Sequence, residues 1–173
     1  GVLKTMLLFF AALTLLIAVG TPKAKPRPAA KHSHRFLVAQ KLNRALQGTP
    51  LARQGFVFEA EGHRRNLSPF FLVGASGTES SLGAASCSGN RLNIWGLGRC
   101  DRAWTVPHFS SWRHAIRYYV DFVRSHWPRA QTVYELYGYC PPCGARGWGE
   151  KTYAWMRRLF GPVSESIAYP KAG

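Results

Sequence analysis

Carboxylates are what this sequence has least of. Asp and Glu together number 8 among 173 residues, against 23 Lys plus Arg, for a formal net charge of +15. Chemistry that needs several acids in one place is short of material, and any acid set among apolar neighbours requires a reason. Familiar nucleotide and nucleic-acid signatures are also missing. There is no Walker loop, no zinc-finger spacing, no RRM-type motif and no internal repeat. What remains is 46% hydrophobic and 13% aromatic, enough for one core. The positive charge attracts polyanions such as nucleic acid, anionic lipid or a bacterial wall, and by itself does not choose among them.

The N-terminus narrows that choice. Met6 to Val19 is a 14-residue apolar run after Lys4. It has the length of a signal-peptide core, and Ala18-Val19-Gly20 offers small residues for cleavage. Counted from Thr5 to Thr21 the stretch reaches 17 residues, short of the roughly 20 that cross a bilayer. A signal peptide and a short membrane anchor both stay open for residues 1–20, and both point away from the cytosol. Residues 21–34 carry Pro22, Pro26 and Pro28 among Lys23, Lys25, Arg27 and Lys31. This is a basic, extended linker: a solvated tether, or a segment lying on lipid headgroups or wall polymer.

Cysteine is limited to Cys87, Cys100, Cys140 and Cys143. An even count outside the cytosol suggests disulfides, and three pairings are open. The favoured one is Cys87–Cys100 with Cys140–Cys143. The first bridge would restrain a loop, worth about 3 kcal/mol in the chain-entropy account. Cys140-Pro141-Pro142-Cys143 also permits a redox reading, but no thioredoxin-like strand–turn–helix surrounds it. A four-cysteine zinc site is the other alternative, and the 12 residues between Cys87 and Cys100 suit it poorly. No metal and no cofactor is expected.

One acid stands out. Ser68-Pro69 is a helix start, with Ser as N-cap and Pro at the first helical position. Phe70, Phe71, Val73 and Gly74 then run at helical spacing to Glu79, and Gly83 can end the helix. A carboxyl at a helix C-terminus faces the negative end of the macrodipole and is desolvated by its neighbours. Both effects favour the protonated acid, which suits a general acid near neutral pH. The plainer alternative is that Ser76-Gly77-Thr78-Glu79 forms a capping box and starts a helix.

Other helices are predicted from periodicity. Phe36, Val38, Ala39, Leu42, Ala45 and Leu46 form one stripe, and Leu51 to Gly62 a second helix with Phe56 and Phe58. Trp112, Ala115, Ile116, Tyr119, Val120, Val123 and Trp127 share a face between a Ser110/Ser111 cap and Pro128. Thr132-Val133-Tyr134-Glu135 is a capping box that should open another helix and makes Glu135 structural. A last helix carries Trp148, Thr152, Trp155, Met156, Leu159 and Phe160, read as core. Ala84 to His108 lacks periodicity and is a long loop or small hairpin. The organisation is then a mainly α domain at 35–161, followed by a tail at 162–173.

Leu51 to Leu159 resembles the lysozyme-like superfamily of peptidoglycan-cleaving glycosidases, in its glucosaminidase and lytic transglycosylase branches. The resemblance is carried by five segments in order. They are Leu67 to Gly74, leading into the acid helix; Thr78-Glu79-Ser80-Ser81-Leu82-Gly83, similar to E-S-x-x-G; Asn93-Ile94-Trp95-Gly96-Leu97; Phe109 to Ile116; and Tyr134 to Pro141. It implies a lysozyme-like α+β fold with Glu79 as catalytic acid and Ser80 or Ser81 orienting the acid or substrate. Asn93 and Trp95 would line the groove, and Tyr139 would reach it from the far side. The plainer readings are a loop-closing amide for Asn93, core packing for Trp95 and a buried hydroxyl for Tyr139. A two-carboxylate hydrolase needs a second acid roughly 5 to 9.5 Å away. Asp101 is the best candidate, Asp121 lies on a polar helix face, and Glu59 and Glu61 are expected to face solvent. A one-acid mechanism, as in lytic transglycosylases, fits better, while the motifs lean towards glucosaminidases. The implied partners are glycan strands and, through the N-terminal segment, a membrane. Nucleic acid is not expected. A phage or bacterial muralytic enzyme, secreted, anchored or associated with a virion membrane, is the leading expectation. A non-catalytic wall-binding or virion structural protein of the same fold is the alternative.

Overall fold

A computed structural model describes residues 33–85, 92–98, 107–140 and 144–171. Five α-helices account for most of them: α1 (His34–Ala45), α2 (Gly55–Arg64), α3 (Pro69–Ser80), α4 (Trp112–His126) and α5 (Ala145–Phe160). The protein is therefore mainly α, as predicted. Its described β content is a single antiparallel bridge between Thr132 and Ser166. The expectations for residues 1–20 and for most of the linker lie outside the described residues, as does most of the 84–108 loop. No described helix is long and apolar enough to cross a membrane.

The helix starts follow their sequence signals. Ser33, Ser68 and Ser111 each accept a hydrogen bond from the backbone N–H three residues on, the expected N-cap geometry. Ser68 lies directly before Pro69, as read. Ser76 is mid-helix and its hydroxyl donates to the Val73 carbonyl, so the 76–79 capping box does not form. The buried stripe of α4 is Ala115, Ile116, Tyr119, Val120 and Val123. Trp148, Thr152, Met156 and Phe160 give α5 its inner face.

Helix α3 is nearly all core: Phe71, Leu72, Val73 and Ala75 are fully buried. Phe71, Leu72 and Val73 each contribute about 1.5–3 kcal/mol from transfer alone. It packs chiefly on α5, with α1 on α2 and α2 on α4. Two glycines permit the α3–α5 approach. A Cβ at Gly74 would lie 2.5 Å from Met156 Cγ, and one at Gly77 would lie 2.5 Å from Trp155 Cδ2.

Three expectations need correction. The 132–135 capping box does not form: Thr132 Oγ1 and Gln131 N–H donate to the Glu135 carboxylate, the Thr132 hydroxyl caps no backbone N–H, and the segment is only a 3-10 turn, Val133–Glu135. Glu59 and Glu61 do not face solvent. Glu59 takes Arg35 and the Tyr169 hydroxyl, while Glu61, 2% exposed, takes Arg64, Arg113 and Arg117. The scarce acids thus cross-link helices through arginine. Finally, the described part of the segment read as a tail is packed. Ile167 is fully buried, its N–H bonds Gln131 O, its carbonyl takes Ser68 N, and Glu165 O takes Val133 N.

Candidate active site

Helix α3 delivers Glu79 in its last turn. The chain then reverses through three left-handed residues: Ser81 (φ 50°), Leu82 (φ 62°) and Gly83 (φ 90°). Ser81 N and Leu82 N return to the Gly77 and Ser76 carbonyls, which closes the helix. Leu82 is buried and anchors the turn. This stop leaves Glu79 at the surface end of an apolar helix.

The carboxyl is half-buried in an aromatic wall. Glu79 Oε1 accepts a short hydrogen bond from the Trp148 indole N–H, which α5 supplies. Glu79 Oε2 lies against the backbone of Gly96, where a Cβ would come within 3.3 Å of it. Gly96 also has φ 63°, so the position favours glycine twice over. Trp148 packs on Tyr139 with ring centroids 4.3 Å apart. Burial is the largest influence on Glu79 and pushes its carboxyl above the ordinary value. The Trp148 hydrogen bond and the nearby Lys151 charge oppose the rise without cancelling it. No ion pair holds Glu79 among the described residues.

The other expected site residues divide sharply. Trp95 is 1% exposed, stacked on Tyr119 at 4.3 Å and 4°, with its N–H on the Leu72 carbonyl. It is a core residue and presents no face to a sugar. Asn93 is fully buried, and its amide bonds both the N–H and the carbonyl of Leu97, so it closes the 93–97 turn. Ser80 is buried too. Its hydroxyl donates to Ile94 O at 2.7 Å and accepts from Gly83 N, which ties the end of α3 to that turn. Together Ser80 and Asn93 place Gly96 against Glu79. Ser81 is the exposed C-cap. Tyr139 is half-buried, and its hydroxyl donates to Trp95 O at 3.3 Å. Its phenol is held well up, by burial first and then by Tyr119 and Glu79.

Trp148, Gly96 and Lys151 belong to the site and were not singled out from the sequence. Trp148 sits on a helical apolar stripe, and its contact with Glu79 spans 69 residues, so no local spacing marks it. Tyr119 Oη is the one buried side-chain polar atom without a hydrogen-bond partner among the described residues. Asp101 lies outside the described residues, as do Cys87, Cys100 and Cys143. Cys140 is disulfide-bonded, and its pairing falls on residues outside the described ones. The described residues contain no group of three or more His, Cys, Asp and Glu that could hold a metal. No protein-family model matches the chain, and no curated protein matches it.

Proposed function

We propose that this chain is a glycosidase of the lysozyme-like kind that cleaves the MurNAc/GlcNAc strand of peptidoglycan with Glu79 as its single general acid/base. The observation that carries the reading is the state of that carboxyl. It is half-buried among aromatic rings, held by an indole N–H and biased towards its protonated form. Such a group can give a proton to the glycosidic oxygen as the C1–O bond breaks. The resulting carboxylate then takes a proton from the attacking hydroxyl and the acid is restored. In a transglycosylase that hydroxyl is the muramyl C6–OH and the product is a 1,6-anhydro sugar. In a glucosaminidase or muramidase it is water, with or without help from a neighbouring N-acetyl group. The buried acids Glu59 and Glu61 are occupied by arginines, which favours one-acid chemistry.

The test is digestion of purified peptidoglycan by the full chain and by Glu79→Gln. The wild type should release soluble fragments, and the variant, folded to the same circular dichroism, should release none. Mass spectrometry of the fragments assigns the branch: anhydromuramyl ends for a transglycosylase, reducing GlcNAc or MurNAc ends for the two hydrolases. Equal lysis by both proteins would refute Glu79 as the acid, and lysis by neither would favour the non-catalytic wall-binding alternative. Salt-sensitive DNA binding without lysis would favour a polyanion binder.

A further inference from the structure

Beside Glu79, on the outer face of α5, lies a cavity of about 250 Å³ lined by Thr78, Lys151, Ala154, Trp155 and Arg158. Lys151, Trp155 and Arg158 recur at helical spacing and form one stripe. Thr78, the neighbour of Glu79 in sequence, closes the near end, fixed by its hydroxyl contact with Thr152 Oγ1 at 3.1 Å. Trp155 forms the wall. Gly77 lets the α3 backbone lie against its indole, and the Arg158 guanidinium carbon is 5.1 Å from the ring centroid. A larger depression of about 710 Å³ shares Ala154 and Arg158 and continues along α5 towards Gly161.

The charge here is left open. Elsewhere the arginines that join helices are matched by carboxylates: Arg35 by Glu59, and Arg64, Arg113 and Arg117 by Glu61. Lys151 and Arg158 are exposed and make no ion pair among the described residues. Two cations two helical turns apart, about 10 Å along the axis, therefore flank an indole; Glu79 lies within electrostatic reach of Lys151 but forms no ion pair with it. The volume is below the roughly 300 Å³ of a typical small-ligand pocket, so it fits one arm of a polymer and not the strand.

We infer that the Thr78–Lys151–Trp155–Arg158 cavity is a subsite for the carboxylate-bearing peptide stem that branches from the glycan, with Lys151 and Arg158 binding its acid groups and Trp155 its apolar part. The inference rests on the peptidoglycan reading of Glu79 and adds the part of the polymer that is recognised. A stem is favoured over the lactyl carboxylate of a bare muramyl sugar because the groove leads away from Glu79 along α5.

Binding, not cleavage, tests it. Full-length protein is titrated with three probes: a soluble disaccharide–peptide, the same compound with its stem carboxylates amidated, and peptide-free strands carrying the free lactyl acid. Wild-type protein should bind the first at least about tenfold more tightly than the other two, and Lys151→Gln/Arg158→Gln should lose that margin. Lys151→Arg/Arg158→Lys should keep it. Both positions are exposed, and melting temperature controls for folding. Equal affinity for carboxylated and amidated stems overturns the inference. So does undiminished selectivity in the double Gln variant, and so does binding of bare strands as tightly as stem-bearing ones. Failure of the glycosidase reading shows separately, as intact peptidoglycan after incubation with the wild type.

Discussion

Glu79 concentrates the functional argument in one proton, and that proton has a thermodynamic signature. The unfolded side chain titrates at the ordinary carboxyl value, and the folded one titrates higher. Between those two values the native state holds the proton more tightly. Stability therefore falls as pH rises through the window, and the deficit persists above it. Glu79→Gln removes the deficit and keeps an oxygen for the Trp148 N–H. It should melt higher than wild type near neutral pH, with the difference vanishing below the carboxyl range in a thermal series. Trp148→Phe acts in the opposite sense on the acid. Loss of the indole N–H, which lowers the carboxyl, lets it rise further. Under the proposed glycosidase activity, the alkaline limb of the pH–rate profile, set by loss of the acid proton, should move to higher pH. An unmoved limb would separate Glu79 from the rate. The acid itself was legible in the sequence because a helix start, an apolar run and a glycine exit frame it. For Asn93 and Trp95 the plainer readings, a loop-closing amide and a core indole, are the ones the structure bears out, whereas the tie of Ser80 to the 93–97 turn was not legible. A motif gives position along the chain, whereas burial and hydrogen-bond partners decide whether a polar side chain meets substrate or holds the backbone.

At the scale of elements, the helices follow their caps and stripes, and the surprises lie in charge. Glu61 on α2 collects two arginines from α4 and one from its own helix. Burial alone would raise its carboxyl, but the hydrogen bonds from Arg117, Arg64 and Arg113 prevail and hold it below the ordinary value. A lowered acid contributes stability above its unfolded value and loses it as pH falls through the folded one. Glu61→Gln should cost about 2–4 kcal/mol near neutral pH, read from denaturant midpoints, and should flatten the acid limb of the stability profile. A cost independent of pH would mean that shape and not charge joins α2 to α4. The sequence could not reveal this pairing. Glu61 and Arg117 are 56 residues apart, and their partnership exists only once α2 and α4 pack.

At the scale of the whole molecule, the segment after α5 joins regions distant in sequence. Ile167 fills the core, its backbone is shared between Ser68 and Gln131, and Tyr169 reaches Glu59 and stacks edge-on against His63 at 4.9 Å. Its composition is plain, with Gly161, Pro162 and three serines or glutamates in a row, and it carries no periodicity. It therefore reads as a tail, and only its partners show otherwise. Ile167→Ala should cost about 2–4 kcal/mol, seen as a lower chemical-denaturation midpoint with an unchanged slope. A cost under about 0.5 kcal/mol would return the segment to the status of an appendage.

The bond between Trp148 and Glu79 also makes the molecule its own spectrometer. An indole whose N–H points at a carboxyl changes its fluorescence when that carboxyl gains or loses its proton. With no substrate present, the difference in emission between wild type and Glu79→Gln, followed across pH, would trace the ionisation of one side chain in a protein with six tryptophans.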